Sequence, residues 1–250
     1  DVVGPMPSLL PIGLPPGGVY VAWTNGAVIF VDASPAPAAG APFGALTGGL
    51  GPLAVPGLIA VPIPPIIVGG IKVANTVAIA FDNGPICPGA LHMAWTDGVN
   101  GDLDVFRSTS LSGGAGWGPP VRVNQDPISN GLDQWAPQIE VNPASGEIMV
   151  TYYDRRRDPA NIGIEVWASS SFTCGATWTD GLVSDAGGVV PVSTVPGPFG
   201  SLDIGTYLAS DFNMLNGNSY AWNDGRNGGD EDVFFETVRC PHSDNDGFPA

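Results

Sequence analysis

The chain has 250 residues, a formal net charge of −16 and an apolar fraction of 44%. So acidic a surface excludes nucleic acid as a partner, because phosphate binding needs basic side chains, and it equally disfavours an anionic membrane surface. The apolar fraction predicts a packed core, although Gly and Pro are frequent, at 36 and 26 residues. No run of roughly 18 apolar residues occurs, so no transmembrane helix is predicted.

The first predicted element is a β-hairpin in "VYVAWTNGAVIFVDAS" from Val19, with its turn at Thr24-Asn25-Gly26. It is followed by residues 34–72, the apolar insertion, which consists almost wholly of Ala, Gly, Pro and aliphatic residues. The many prolines disfavour a regular helix or a central strand there. We expect this insertion either to form a long connection that lies on the domain or to pack against another subunit, since monomers rarely expose so much apolar surface.

The hairpin pattern returns three times further along the chain. "AWTDGVNGDLDVFRSTS" from Ala94 and "AWNDGRNGGDEDVFFETV" from Ala221 share Ala-Trp, Asp-Gly, Asn-Gly and Asp-Val-Phe in the same order. A weaker copy, "TYYDRRRDPANIGIEVWASSS", begins at Thr151, and β-prone runs precede the hairpins in "TVAIAFD", "APQIEVN" and "YLASDFN". A repeated unit of three or four antiparallel strands predicts an all-β fold, a β-propeller, as one domain over residues 1–240.

Two stretches that follow the hairpins resemble a motif of a known family. "STSLSGGAGW" ends at Trp117 and "SSSFTCGATW" ends at Trp178. Both are similar to the Asp-box (Ser-x-Asp-x-Gly-x-x-Trp) of the sialidase superfamily of propellers, with Ser112 and Thr173 in place of the Asp. Short hydroxyl side chains can still bond backbone amides in such a turn. The resemblance covers about residues 73–240.

This resemblance implies a bacterial secreted propeller with six blades, whereas four copies of the hairpin are recognisable. Three explanations for the missing copies are open: further strands are hidden in the apolar insertion, the chain is incomplete, or another chain closes the ring. Open sheet edges would otherwise invite strand addition.

The resemblance also implies the parts of an active site. Sialidases of this superfamily use three Arg on the substrate carboxylate, a Tyr nucleophile with a Glu partner, and an Asp acid/base. Arg155–Arg157 are consecutive, so they would alternate between the faces of a strand, and no Arg triad follows from the spacing. Asp154 and Asp158 flank this run and are expected to form surface ion pairs with it. The weak catalytic candidates are Tyr207, Tyr153, Arg155 and Arg226.

The hairpins from Ala94 and Ala221, which we call the twin hairpins, are rich in carboxylates. They are either ordinary turns capped by Asp side chains or calcium sites, because calcium prefers oxygen ligands. We expect the tighter site in the first, which has Val99 where the second has Arg226. The proposed ligands are Asp97, Asn100, Asp102 and Asp104, then Asp224, Asn227, Asp230 and Asp232. The acidic tail at 241–250 resembles the start of a calcium-binding repeat, through Asp244 and Asp246.

The cysteines are Cys87, Cys174 and Cys240, which allow one disulfide of undetermined pairing. Lys72 is the only lysine, and the chain begins at Asp1 as a processed protein would. We therefore expect a secreted, extracellular protein.

The degenerate boxes, the scarcity of Arg and the missing catalytic pattern predict a secreted, non-catalytic propeller. It would bind a glycan or another protein, or take part in extracellular assembly. One alternative is an exo-glycosidase, a sialidase-like hydrolase that acts on acidic sugars. Another is a structural subunit of an extracellular layer or filament, assembled through the apolar insertion.

Overall fold

The computed structural model describes residues 8–11, 19–25, 28–35, 40, 42–44, 52–55, 67–73, 76–184, 208–213, 217–224 and 232–238. Within these ranges the protein is an all-β propeller whose blades are four antiparallel sheets. The one helix in these ranges is a 3₁₀ helix at Val68–Gly70, and no described helix is long and apolar enough to cross a membrane. The predicted fold is confirmed.

The first strands of neighbouring blades contact one another (β1 with β5, β5 with β9, and β9 with β13), so within each blade the strands run outward from the propeller axis in chain order. The first blade consists of β1 (Ser8–Pro11), β2 (Val19–Thr24), β3 (Ile29–Ser34) and β4 (Leu53–Ala54). The second blade consists of β5 (Val77–Phe81), β6 (Leu91–Asp97), β7 (Asp104–Ser110) and β8 (Val121–Arg122). The third blade consists of β9 (Gln134–Val141), β10 (Ile148–Asp154), β11 (Glu165–Ser171) and β12 (Thr179–Leu182). The fourth blade has three described strands, β13 (Ala209–Asn213), β14 (Gly217–Asp224) and β15 (Asp232–Val238). The innermost strand β9 contacts both β5 and β13.

The pairing of the middle strands follows the sequence repeat. Asp97 pairs with Asp104 where β6 ends and β7 begins, and Asp224 pairs with Asp232 where β14 ends and β15 begins. The twin hairpins therefore have the same strand register at their ends. Because the innermost strands run in one direction, the loops of these hairpins lie on one face of the propeller, which we call the hairpin face.

Three apolar clusters fill the spaces between neighbouring blades. Trp95 is buried between the first and second blades, Tyr152 between the second and third, and Trp222 between the third and fourth. The repeated Trp also stacks on the repeated Phe across its hairpin, with ring centroids 6.3 Å apart for Trp95 and Phe106. Aromatic side chains bury large areas, so these positions hold the blades together.

The two Asp-box-like stretches form turns on the face opposite the hairpin face. Ser110 Oγ accepts the backbone N–H of Gly114 at 2.9 Å, and Ser171 Oγ accepts that of Gly175 at 2.9 Å. The φ values of Gly114 and Gly175 are 92° and 73°, a conformation that favours glycine. Of the two hydroxyls that replace the Asp, Thr173 Oγ1 accepts the backbone N–H of Thr177 at 2.9 Å, as expected, whereas Ser112 Oγ donates to the carbonyl of Gly116 at 3.3 Å.

The disulfide joins Cys87 to Cys174, with Cα atoms 5.7 Å apart. Cys87 lies on the connection from β5 to β6, and Cys174 lies in the turn that follows β11. The bond therefore links the second blade to the third. Cys240 lies outside the described residues.

The described parts of the apolar insertion belong to the propeller. Its residues in β4 pair with β3, and its residues Ile67 and Ile71 are buried in the cluster between the third and fourth blades. These residues follow the first of the two expectations, a connection lying on the domain. For the rest of the insertion, as for the tail at 241–250, the expectations concern residues outside the described ranges and stay predictions.

Candidate active site

One carboxyl group lies where the innermost strands of the third and fourth blades meet. Glu140 on β9 pairs with Met149 of β10, which belongs to the cluster against the fourth blade. Its neighbours Ile139 and Val141 pack on the side of the second blade, because alternate residues of a strand point to opposite sides. Glu140 is therefore directed towards β13, and it is only partly buried.

Strand β13 supplies hydrogen bonds to this carboxyl group. Ser210 Oγ donates to Glu140 Oε1 at 3.2 Å, and the backbone N–H of Phe212 donates as well. Among the described residues, no basic side chain forms an ion pair with Glu140. The carboxyl group thus bridges two innermost strands through neutral donors.

Burial raises the pKa of Glu140 to about 7. The bonds from Ser210 and Phe212 lower this pKa, since they stabilise the carboxylate, and the negative charge of Asp211 raises it. A carboxyl group with a pKa near neutrality is suited to donate a proton to a reacting group.

Asp211 is the residue between the two donors, and it is exposed. Alternation along β13 directs its side chain to the face of the fourth blade opposite Ser210. Two carboxyl groups therefore flank the backbone of β13, one shielded by the third blade and one in solvent. Pairs of carboxyl groups in contrasting environments are typical of acid–base catalysis.

A second set of acidic side chains is buried between the second and third blades, and we call it the interblade network. It consists of Asp104, Asp126, Asp154, Asp180, Arg122 and Arg156. Arg122 serves the second blade: its Nε donates to Asp104 at 2.6 Å and its Nη2 to Asp126 at 2.8 Å. These bonds tie the hairpin face of the second blade to the connection that leads into the third.

Arg156 holds the other half of the interblade network. Its Nε donates to Asp154 Oδ2 at 2.7 Å, it pairs with Asp180, and its guanidinium lies 4.0 Å from the ring centroid of Trp167. Burial raises the pKa of Asp154 to about 6, while Arg156 lowers it. Asp154 is fully buried and bound by a cation, so its role is structural.

Two of the predicted catalytic candidates lie in structural surroundings. Tyr153 is fully buried, and its hydroxyl donates to a backbone carbonyl of β14 at 3.2 Å. Arg155 is buried over the ring of Trp135, 4.9 Å from its centroid, and donates to three backbone carbonyl groups. The other two candidates, Tyr207 and Arg226, lie outside the described residues.

The predicted ion pair between Asp154 and the Arg155–Arg157 run is present, through Arg156, but its predicted place at the surface is wrong. Asp154 is buried in the interblade network, because β10 ends between two blades and not at the surface. Asp158 accepts the backbone N–H of Ile162 at 2.8 Å and so closes its own loop.

In the first twin hairpin, protein groups bond most of the predicted calcium ligands. Asp97 accepts the backbone N–H of Val99 at 3.0 Å, and Asn100 Nδ2 donates to Asp104 at 2.6 Å. The loop of this hairpin contains no Arg of its own, as the sequence indicated, but Asp104 is paired with Arg122, which lies 18 residues further on. Arg122 reaches it from β8, the outermost strand of the blade.

Asp102 differs from its neighbours in this hairpin. Its Oδ2 accepts the backbone N–H of Gly131 at 2.7 Å, whereas its Oδ1 is buried without a hydrogen-bond partner. Burial raises the pKa of Asp102. Of the second hairpin, the structure describes the backbone pairing of Asp224 with Asp232. The remaining predicted ligands, Asn227, Asp230, Asp244 and Asp246, lie outside the described residues, and calcium binding stays a prediction.

Sequence reasoning missed Glu140 and Asp211. The available signal is in "APQIEVN" and "YLASDFN", where an acidic residue interrupts a β-prone run. Acidic side chains are seldom buried in strands unless something compensates for the lost hydration. Such a residue on an innermost strand deserves consideration as a functional group.

No protein-family model and no curated protein matches the chain. The chain is similar to the catalytic domain of the GH62 α-L-arabinofuranosidase of Coprinopsis cinerea, with 15% identity, a TM-score of 0.49, and coverage of 92% of this chain and 72% of that chain. It is similar to an endo-arabinase from Bacteroides thetaiotaomicron, with 11% identity, a TM-score of 0.46, and coverage of 94% and 75%. It is also similar to the GH93 α-L-arabinofuranosidase of Fusarium graminearum, with 12% identity, a TM-score of 0.49, and coverage of 96% and 65%.

At such identities the likeness concerns the fold alone. The matched proteins are nevertheless named as glycoside hydrolases, which contradicts the predicted non-catalytic role in binding or assembly. That prediction is therefore corrected. The propeller part of the sequence resemblance is confirmed, and an activity has to be argued from the side chains of this chain.

Proposed function

We propose that the protein is a glycoside hydrolase in which Glu140 protonates the leaving group. The observation that carries this proposal is a partly buried carboxyl group on an innermost strand, with a pKa raised to about 7 and no basic partner among the described residues. A general acid works best when its pKa lies near the working pH. Tyr153 and Arg155, the described candidates from the sequence, are occupied by structural bonds.

Hydrolysis of a glycosidic bond needs two carboxyl groups with different roles. Protonated Glu140 gives its proton to the glycosidic oxygen as the bond between that oxygen and the sugar carbon breaks. Asp211 takes a proton from a water molecule, whose oxygen forms the new bond to the sugar carbon. Exchange of protons with solvent restores both groups.

The described Arg side chains favour a neutral sugar over an acidic one. Arg forks recognise a substrate carboxylate, but a fork that is already bonded cannot do so. Arg122 and Arg156 belong to the interblade network, Arg107 and Arg155 donate to backbone carbonyls, and Arg157 pairs with Glu165 at 3.4 Å. We therefore propose a neutral glycan, and arabinofuranosides and arabinans are the first substrates to try, because the matched proteins are named for them.

A sialidase-like activity on acidic sugars is the second candidate. It is favoured by one observation, the pair of Asp-box-like turns with matching hydrogen bonds from Ser110 and Ser171. An aryl sialoside among the substrates separates the two candidates, since turnover of that compound alone would favour the acidic sugar.

The test compares wild-type protein with Glu140→Gln and with a matched control, Glu147→Gln. The Glu147 carboxylate accepts a hydrogen bond from the Ser170 hydroxyl at 2.6 Å, and burial raises the pKa of Glu147. Glu147 itself lies at the turn between β9 and β10. Glu140→Gln should lower kcat by about 10²–10⁴-fold on an aryl glycoside with a poor leaving group. The loss should be much smaller with a dinitrophenyl leaving group, which departs without a proton.

Glu147→Gln should retain wild-type rates on both substrates. The proposal fails if the wild-type protein hydrolyses no member of the substrate series. The role of Glu140 fails separately, if both glutamine variants lose activity to the same extent or if the loss does not depend on the leaving group.

We further propose that the enzyme is secreted and that calcium binds the first twin hairpin. The Cys87–Cys174 disulfide supports an oxidising compartment. The buried Oδ1 of Asp102 supports calcium, because a cation would supply the partner that this oxygen lacks. Calcium there would stabilise the fold and would take no part in the chemistry at Glu140.

A further inference from the structure

The disulfide is packed against a buried histidine. The Sγ atoms of Cys87 and Cys174 and a ring nitrogen of His92 all lie within 4.8 Å of one another. His92 belongs to β6, and the two cysteines come from the second and third blades, so the fold itself fixes their positions. Once the disulfide is reduced, two thiolates and one imidazole make up a donor set that Zn²⁺ accepts, with a fourth position left for water.

The imidazole ring is already oriented by its neighbours. His92 Nε2 lies 3.3 Å from Asp82 Oδ2, and His92 Nδ1 lies 2.9 Å from Thr109 Oγ1. Asp82 is itself fixed, because its Oδ1 accepts the backbone N–H of Gly84 at 2.8 Å. Histidine ligands of zinc commonly donate their second ring N–H to a carboxylate, which is the position that Asp82 occupies.

We propose that Cys87, Cys174 and His92 bind Zn²⁺ when the disulfide is reduced, so that the disulfide and the metal exclude each other. A dithiol reductant would transfer two electrons to the S–S bond, yielding two protein thiols and the oxidised dithiol. Zinc binding would then release both thiol protons to solvent and replace the Thr109 contact of the ring. Both cysteines are partly exposed, so reductant and metal can reach them.

One cation lies beside this cluster. Arg107 donates to the backbone carbonyl of Gly175, next to Cys174, and to Thr109. A neighbouring guanidinium favours the thiolate over the thiol, which prepares a cysteine for metal binding. Its charge also opposes the metal charge, and this repulsion is balanced by the two thiolates and by Asp82.

The experiment is a cobalt(II) titration of the Cys240→Ser protein, after reduction by a phosphine and removal of the reductant under anaerobic conditions. The Cys240→Ser change ensures that any thiolate signal comes from Cys87 and Cys174. We expect one equivalent of cobalt to bind, with a thiolate-to-cobalt charge-transfer band and the visible bands of four-coordinate cobalt. Zinc should displace the cobalt, and the oxidised protein should give no band.

Two variants test the histidine. Asp82→Asn keeps an oxygen for the N–H of Gly84 but weakens the support of the ring, so cobalt affinity should fall by about 10–100-fold. His92→Gln should abolish the four-coordinate bands. The proposal is overturned if the reduced protein gives no charge-transfer band, or if both variants bind cobalt with the parent affinity.

Discussion

The acidic groups on the two sides of the third blade differ in their exposure and in their bonding partners. Towards the second blade, Asp154 is fully buried and bound by Arg156; towards the fourth, Glu140 is partly exposed and receives bonds from Ser210 and a backbone N–H. Burial raises the pKa of both groups, to about 6 and about 7. A similar shift therefore accompanies two roles, and the partner and the exposure decide which role a carboxyl group has: Asp154 joins blades, whereas Glu140 is left open to chemistry.

Removal of the Arg156 cation from the junction between the second and third blades should have the largest effect on stability. Arg156→Met leaves the buried Asp154 and the partly buried Asp180 without their partner, so the free energy of unfolding should fall by about 3–5 kcal/mol. Urea denaturation measures it. Lys72→Met, which removes an exposed cation, is the control and should change stability by no more than about 0.5 kcal/mol. Equal, small losses in the two variants would show that the interblade network does not hold the blades together.

The disulfide closes the same junction between the second and third blades. Cys87 and Cys174 are 87 positions apart, so their replacement by Ala should cost about 2–5 kcal/mol of unfolding free energy. The difference from wild type should disappear when both proteins are measured with a reductant and a chelator. A difference that persists under those conditions would mean that the substitutions act through packing and not through the covalent bond.

At the junction between the third and fourth blades, Glu140 should make the stability of the protein depend on pH. The pKa of Glu140 is above its ordinary value, so the stability that its protonated form contributes is complete below about pH 4.5 and is lost as pH rises through about 7. Glu140→Gln cannot ionise. The melting temperature of the wild type should therefore fall relative to that of the variant between about pH 4.5 and pH 8. A difference that stays constant over this range would contradict the raised pKa.

Calcium should have the smallest effect on stability, and it acts at the junction between the second and third blades. If Asp102 Oδ1 binds calcium, millimolar calcium should raise the melting temperature slightly, because a ligand of the native state stabilises it. Asp102→Asn should remove more of this rise than Asp230→Asn in the second twin hairpin. An identical melting curve with calcium and with chelator would leave both hairpins as turns only.

The blades could be predicted from the sequence, because each is a local hairpin and its signals lie within a few residues of one another. The shared Asp-Gly, Asn-Gly and Asp-Val-Phe pattern indicated two hairpins of the same kind, and the structure gives both of them the same register at their ends. The environment of Glu140 could not be predicted in this way. Its donor Ser210 is 70 positions away in another blade, and no spacing in the chain reveals which innermost strands become neighbours.

The error about function has a related cause. The absence of a sialidase pattern does not imply the absence of catalysis, because a propeller can place carboxyl groups on its innermost strands without that pattern. The cation beside the first twin hairpin could not be found from its local sequence for the same reason, since Arg122 reaches Asp104 from a different strand. Local sequence carries information on turns and register, but charge pairing between strands depends on the folded chain.

The pH dependence of kcat/KM tests the central claim, that Glu140 is the proton donor, most directly. Wild-type protein acting on an aryl glycoside with a poor leaving group should lose activity as pH rises through about 7, because the acid must be protonated. In Glu140→Gln this loss at high pH should be absent, with low activity at every pH. A Glu140→Gln variant that retains the wild-type rate and the same fall near neutral pH would contradict the account.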